Sequence, residues 1–428
     1  MTLTTGRIAT MAGELRPPSD KSLTHRAYML GAAAAGPSVV RNPLRGEDCE
    51  ATLRCLEAMG LRATWTGRDE VRLDPAARWH SPAEPLDCGN SGTTMRLLSG
   101  LVASRPIEAE LVGDASLSRR PMGRIAEPLR RMGATVEGDT APLRIQGASL
   151  QGIDHVSLVA SAQVKSCILL AGLRAKGTTR VLEPDPSRDH TERMLRAMGV
   201  EVRESTSGTG HRVEVDGGAS LRPLEFDVPG DVSSAAFFMV AAALAPESRV
   251  TLRDVNVNPT RTGILDVFMA AGIRVIELDR HDRGGEPVAS LEIHPEPIPM
   301  AFEITGALVP RLIDEIPVLA VLASQCDGIS IIRDAEELRK KESDRIESVA
   351  AGLRAMGVRV EVERDGMMIW GPARLQGATV DAQGDHRLGM AFAVAGLFAE
   401  GQTTVVGADA IATSYPGFKD DLWSLCVV

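Results

Sequence analysis

Among the six cysteines, Cys49, Cys55, Cys88, Cys167, Cys326 and Cys426, no two form a Cys-x-x-Cys pair and none has histidine partners at metal spacing. That excludes the common zinc motifs and a disulfide framework, and reduced thiols of a cytoplasmic protein become the expectation. Long hydrophobic runs are also missing. The longest, around Ala235 to Ala245, falls well below the roughly 18 residues a membrane span needs, and the first residues carry no apolar signal core. Positive charge is in deficit. A net charge of −10 argues against a general nucleic-acid surface, because a duplex binder presents a basic face. The expectation is a soluble, cytoplasmic protein with no nucleic-acid or membrane partner, in which any anion site is a local concentration of Lys and Arg.

What is present is a globular composition, 44% hydrophobic and 24% charged, which excludes disorder. A chain of 428 residues exceeds what one hydrophobic core usually serves, so two domains are expected. Internal repetition is the strongest signal. A small or polar start followed by an Ala/Leu-rich helix recurs six times: PSDKSLTHRAYMLGAAAAG from Pro18, GNSGTTMRLLSGLVAS from Gly89, SAQVKSCILLAGLRAKG from Ser161, PGDVSSAAFFMVAAALA from Pro229, LIDEIPVLAVLAS from Leu312 and GDHRLGMAFAVAGLFAEG from Gly384. The starts lie about 70 residues apart, with one gap nearer 80, longer than the common solenoid periods. A second helix ends on Gly60, Gly133, Gly199, Gly272 and Gly357, each followed by β-prone residues such as Val200-Glu201-Val202 and Val358-Arg359-Val360. Glycine there predicts a left-handed C-cap leading into a strand.

Each repeat therefore reads strand, helix, strand, helix, strands, and six repeats divide as three plus three. The first helices, rich in Ala and Gly, suit a buried layer. Arg7 to Leu15 reads as a strand ahead of the first repeat and is expected to complete the last one. Crossings between domains are expected near Arg16-Pro17 and Asp227-Val228. Ordinary α/β alternation would not place six helix starts in near register.

These starts carry Ser19, Asp20, Lys21, Ser22 and Arg26; Asn90, Ser91, Gly92 and Thr93; Ser161 and Gln163; Asp231 and Ser233; Asp314 and Glu315; and Asp385, His386 and Arg387. Helix N-termini bind anions through free N–H groups and the dipole. Capping alone accounts for Ser19, Asp231 and Ser233. It does not account for Lys21, Arg26 and Arg387, since a cation in the first turn opposes the dipole. Two more basic stretches are GDASLSRRPMG, with Arg119 and Arg120, and LRKKESDRI, with Arg339, Lys340, Lys341, Glu342 and Arg345. Arg339 and Lys340 read as a solvated face. Guanidinium groups suit phosphate and carboxylate, so the residues alone point to small, multiply anionic ligands.

The ordered set SDKSLTHRA, GNSGTTMR, SRRPMG, SAQVKS, IDEIP, RKKESDR and GDHRLGM resembles the 5-enolpyruvylshikimate-3-phosphate synthase family over essentially the whole chain. The resemblance implies an α/β fold of two similar domains, each of three βαβαββ-like units with buried helices, an inside-out α/β barrel type joined by a two-stranded hinge. Residues 1–16 plus 228–428 would form one domain, completed by the N-terminal strand, and 17–227 the other, with the active site in the cleft that closes on substrate. It also implies the reaction. Phosphoenolpyruvate gives its enolpyruvyl group to the 5-hydroxyl of shikimate 3-phosphate with release of phosphate, on the route to chorismate and aromatic amino acids, without metal or organic cofactor and in a monomer.

Matched residue by residue, Lys21, Ser22, Arg26, Ser161, Gln163, Ser187, Arg188, Asp314 and Lys341 are implied to bind shikimate 3-phosphate. Lys21, Asn90, Gly92, Thr93, Arg120, Gln163, Arg345 and Arg387 are implied to bind phosphoenolpyruvate. Asp314, Glu342 and Lys21 are the implied catalytic groups, with Asp314 taking the hydroxyl proton and Glu342 or Lys21 donating to carbon. The sequence departs from many members at Ala162, where a second serine is common, and at Thr413, where a lysine is common. Lys165 and Arg188 resemble a subgroup often poorly inhibited by glyphosate, whereas Gly92 is usual in sensitive enzymes, so glyphosate is a candidate inhibitor with two opposing signals. UDP-N-acetylglucosamine enolpyruvyl transferase is the alternative enzyme. Its loop cysteine is absent from Gly113 to Gly123, and its Lys-Asn pair is Lys21-Ser22 here. A non-catalytic binding protein on the same fold is the alternative from another class.

Overall fold

The computed structural model describes residues 1–208 and 210–427. The six apolar segments fold as helices α1 (Lys21–Ala33), α2 (Gly92–Ala103), α3 (Ala162–Gly172), α4 (Val232–Leu244), α5 (Ile316–Ala323) and α6 (His386–Gly396). Every residue of α4 from Val232 to Ala243 is buried, as is all of α5 and α6. A helix apolar on all sides has no face to give to water, so it goes inside. Small residues let these helices approach closely. A Cβ on Gly100 of α2 would stand 2.2 Å from the Cys167 carbonyl oxygen of α3.

The second helices, Glu47–Glu57, Gly123–Met132, His190–Ala197, Gly263–Ala270 and Arg345–Ala355, lead to Gly60, Gly133, Gly199, Gly272 and Gly357. These five glycines have φ of 109°, 111°, 88°, 82° and 88°, the left-handed conformation expected of them. The strands begin slightly later than their β-prone residues suggest, at Val202 and Val360. The cap takes the intervening residues: the N–H of Val200 donates to the Leu195 carbonyl at 2.9 Å and that of Val358 to Leu353 at 3.0 Å.

One sheet plan repeats. Leu86–Asp87 pairs parallel with Glu108–Val112, which pairs antiparallel with Leu143–Gln146, flanked in turn by Thr135–Glu137. The same order recurs around Thr178–Glu183 and around Gly328–Ile332. Two sheets draw their parallel lead-in strand from a distant part of the chain, Glu225–Asp227 beside Ser38–Arg41 and Thr10–Leu15 beside Arg249–Asn256. The last sheet, Thr379–Asp381 with Gln402–Val406, is closed by Thr2–Gly6. The closing strand is thus not the Arg7 to Leu15 stretch. Burial alternates along Thr2–Gly6, with Leu3 and Thr5 inward, whereas Met11 alone is buried in Thr10–Leu15.

The chain forms two compact units. The first comprises Met1–Pro18, Pro229–His281 and Pro287–Val428, and the second Ser19–Val228 with Asp282–Glu286. Each has its own hydrophobic core and three sheets around its buried helices. The second unit includes a hairpin tip that the sequence division leaves with the first. Within it Glu286, fully buried, meets His190 Nδ1 at 2.8 Å, and the Gly285 carbonyl accepts from Arg193 at 3.0 Å.

Candidate active site

In the second unit the polar groups gather at the starts of α1, α2 and α3. Asp20, not Ser19, caps α1, accepting the Leu23 N–H at 2.8 Å. With the cap satisfied by an acid, Lys21 turns to Asp48, 3.1 Å away on the helix Glu47–Glu57. Arg26 is buried one turn on. Its Nε donates to Thr191 Oγ1 at 2.7 Å, its Nη2 to Ser166 Oγ at 2.9 Å and its Nη1 to the Ser22 carbonyl at 3.0 Å. Burial lowers its pKa to about 10, although Glu192 and Asp20 act in the opposite sense.

At α2, Ser91 is the cap, accepting the Thr94 N–H at 3.1 Å. Asn90 donates to Asp114 at 2.6 Å and accepts from Arg120. Thr93 Oγ1 accepts from Gln163 Nε2 at 2.9 Å, and Gln163 Oε1 accepts from Arg96 Nη1 at 2.6 Å. Gly92 lies beside two guanidinium groups. A Cβ there would stand 2.8 Å from Arg96 Nη1 and 3.4 Å from Arg120 Nη1.

At α3, Ser161 and Ser187 converge on one carboxylate, Glu183. It accepts the Ser161 N–H at 2.8 Å and the Ser187 hydroxyl at 2.7 Å, and pairs with the Lys165 ammonium at 3.0 Å. Lys165 also meets Glu192 at 2.8 Å, with all three charged side chains fully buried. Burial disfavours the ammonium, but Glu192 and Glu183 outweigh it and hold Lys165 above the ordinary lysine range. Arg188, half-buried, follows Ser187 directly.

In the first unit the centre is Arg345, 1% exposed. Its Nε and Nη2 clasp Asp385 at 2.7 and 3.2 Å, its Nη1 reaches Asp314 at 3.2 Å, and its Nη2 also reaches Glu342 at 2.7 Å. Three carboxylates, Asp385, Glu342 and Asp314, outweigh the cost of burial and hold this guanidinium firmly protonated. Asp314 also meets Lys341 at 3.2 Å and Arg387 at 4.0 Å. Counting Asp314, Glu342 and Asp385 against Lys341, Arg345 and Arg387, the formal charges balance. Asp385 caps α6 through the Arg387 N–H at 2.9 Å, so one side chain starts the helix and fixes Arg345. Arg339 and Lys340 stay outside this cluster, paired with Asp344 and Glu347 and with Glu336 and Glu337. Among the described residues no group of three or more His, Cys, Asp or Glu is placed to hold a metal ion, and no helix is long and apolar enough to cross a membrane.

The family described as EPSP synthase (3-phosphoshikimate 1-carboxyvinyltransferase) matches residues 6–422. The chain belongs to the EPSP synthase family. Among curated proteins, the 3-phosphoshikimate 1-carboxyvinyltransferase of Bacillus licheniformis is 46% identical over 427 residues, covering 98% of each chain. That of Bacillus cytotoxicus is 46% identical over 419 residues, covering 96% of this chain and 97% of its own. Among solved structures, an EPSP synthase from Acinetobacter baumannii superposes with a TM-score of 0.86 at 40% identity, covering 100% of this chain and 98% of that one.

Within this member of the EPSP synthase family, the implied site residues fall into two sets, one per unit: Lys21, Ser22, Arg26, Asn90, Gly92, Thr93, Arg120, Ser161, Gln163, Ser187 and Arg188 in the second, and Asp314, Lys341, Glu342, Arg345 and Arg387 in the first. Four groups that organise them were not legible in the motifs as site residues: Asp48, Arg96, Glu183 and Asp385. Asp48 in the first turn of its helix reads as a dipole complement, and Asp385 reads as a cap. The one available signal was an imbalance, since Lys21 and Arg387 stand at helix starts and require acid partners nearby.

Proposed function

We propose that the protein transfers the enolpyruvyl group of phosphoenolpyruvate to the 5-hydroxyl of shikimate 3-phosphate, acting as a cytoplasmic monomer in the shikimate pathway. Family membership across residues 6–422 supports the reaction. The observation that carries the mechanism is Arg345, which holds Asp314 and Glu342, two carboxylates in one charged group, within reach of Lys341 and Arg387.

In this reading Asp314 takes the proton of the 5-hydroxyl as its oxygen bonds to C2 of phosphoenolpyruvate, and C3 gains a proton from Glu342 or Lys21. The tetrahedral adduct then loses a proton from C3 and expels phosphate, which departs with the electrons of the C2–O bond. Lys21, Arg120, Lys341, Arg345 and Arg387 stabilise the leaving phosphate and the carboxylate, as preorganised cations do where charge develops. Arg345 is already shared among three carboxylates, so its part is to orient as well as to bind. Ser161, Ser187 and Arg188 take the shikimate phosphate, with Ser22, Arg26 and Gln163 around the ring. Asn90, Gly92 and Thr93 approach phosphoenolpyruvate, and glyphosate, also an anion with phosphonate and carboxylate ends, is the candidate inhibitor of the enzyme.

Phosphate release from the purified protein tests the proposal. Release is expected with both substrates and not when shikimate 3-phosphate is replaced by UDP-N-acetylglucosamine. Retained binding of both substrates without release would establish a binding protein instead. Adding glyphosate to the same assay reads its competition against phosphoenolpyruvate.

A further inference from the structure

The IDEIP turn carries two consecutive carboxylates that diverge. Asp314 faces Lys341 and Arg345, while Glu315 is fully buried and turns to the start of α4. There Ser233 Oγ donates to Glu315 Oε1. Arg261, 1% exposed, donates from Nη2 to Ser233 Oγ at 2.6 Å and to Asp231 Oδ1 at 3.0 Å. Asp231 in turn accepts the Ser233 N–H at 2.9 Å and caps α4. Arg261 is held by a wound loop: its own N–H donates to the Asn258 carbonyl at 2.8 Å, and Asn258 Oδ1 accepts the Thr260 N–H at 2.9 Å.

Ordinary roles do not account for Glu315. It occupies the N-cap place of α5, yet its carboxylate caps nothing there. Nor is a buried ionic group commonly more stabilising than a well-packed apolar one of the same size. Its placement has another use. The cations that hold Asp314 are the ones an anionic substrate would draw on, so substrate weakens the direct hold on Asp314 just when its position matters. The contact of Glu315 with Ser233 is sealed from solvent and does not compete with substrate. Any rotation of the turn that swung Asp314 away would pull Glu315 off Ser233.

We infer that Glu315 is the positioning residue for Asp314, anchoring its turn to α4 through Ser233 and Arg261 while the cations around Asp314 engage substrate. The inference rests on Asp314 being the base in the proposed reaction. The test is a double-mutant cycle in the full chain, with phosphoenolpyruvate and shikimate 3-phosphate as substrates and phosphate release as readout. Glu315→Gln is expected to lower kcat about tenfold to a hundredfold, as small misplacements of a reacting group do, with both KM values within about twofold. Ser233→Ala should do the same more weakly, and it stands in if Glu315→Gln fails to fold. Glu315→Gln added to Asp314→Asn should cost no more than about a further twofold, because the base through which it acts is already gone. Full activity of Asp314→Asn would overturn the reading of Asp314 as base. A slow Asp314→Asn with a fully active Glu315→Gln, or losses that multiply in the double variant, would overturn the role of Glu315 alone.

Discussion

Arg345 stands where charge is most concentrated, and a guanidinium suits that place for geometric reasons. Its nitrogens lie in one plane and point at Asp385, Glu342 and Asp314 at once, whereas an ammonium on a flexible stem presents a single point charge. Arg345→Lys is therefore expected to lose at least tenfold in kcat/KM, and Arg345→Ala to destabilise by about 3–5 kcal/mol by leaving the buried Asp385 carboxylate unmatched. Steady-state kinetics and urea melts check both. His25 offers a second test at this scale. Burial, with Lys21 and Arg26 nearby, pushes its pKa well below the usual histidine value, and its Nδ1 meets Thr52 Oγ1 at 2.7 Å. The unfolded chain then binds a proton that the folded one refuses, so His25 costs stability as pH falls through about 6.5 and contributes nothing above it. Between pH 6.5 and 5.5 the loss should be about 1 kcal/mol, and His25→Asn should flatten that part of the profile in thermal melts.

Elements show which parts of the sequence carry structural information. The six inner helices were legible because runs rich in Ala, Gly and Leu have one place to go, and the caps at Gly60 or Gly357 because few residues adopt a left-handed turn. Motif matching offered Lys21, Asp314 and Arg387 as candidates. It could not give Asp48 or Glu183, whose meaning depends on which distant helix start each one faces. The α2 and α3 pair makes a prediction of its own. Replacing a mid-helix glycine by alanine ordinarily gains about 1 kcal/mol, but at Gly100 the new carbon would press on the backbone of Cys167 at 2.2 Å. Overpacking should win, and Gly100→Ala should lower stability by a net 1–3 kcal/mol or so in denaturant titration.

At the scale of the whole molecule there are two cores in one chain, and the sequence reading differs from the structure in where one hairpin tip belongs. It misses the tip Asp282–Glu286, because a hairpin reads the same whichever unit receives its end. The four tryptophans fall two to each unit, Trp65 and Trp79 in the second and Trp370 and Trp423 in the first. If shikimate 3-phosphate binds the second unit as proposed, ligand at 100 times its Kd should add about 2.7 kcal/mol to the transition read from Trp65 and Trp79 in a Trp370→Phe, Trp423→Phe variant. The converse variant, reporting the first unit, should shift less.

The closing of the last sheet by Thr2–Gly6 sets a timetable for the nascent chain. Thr4 pairs with Thr404, so that strand leaves the ribosome 400 residues before the one it joins. At ordinary translation rates it waits roughly 20 to 80 s, long enough for the segment that forms the second unit to emerge in full and settle first. A strand made so long before its partner is thus among the last to find its place, and until then it stands open to any other edge, or to a chaperone that shields it.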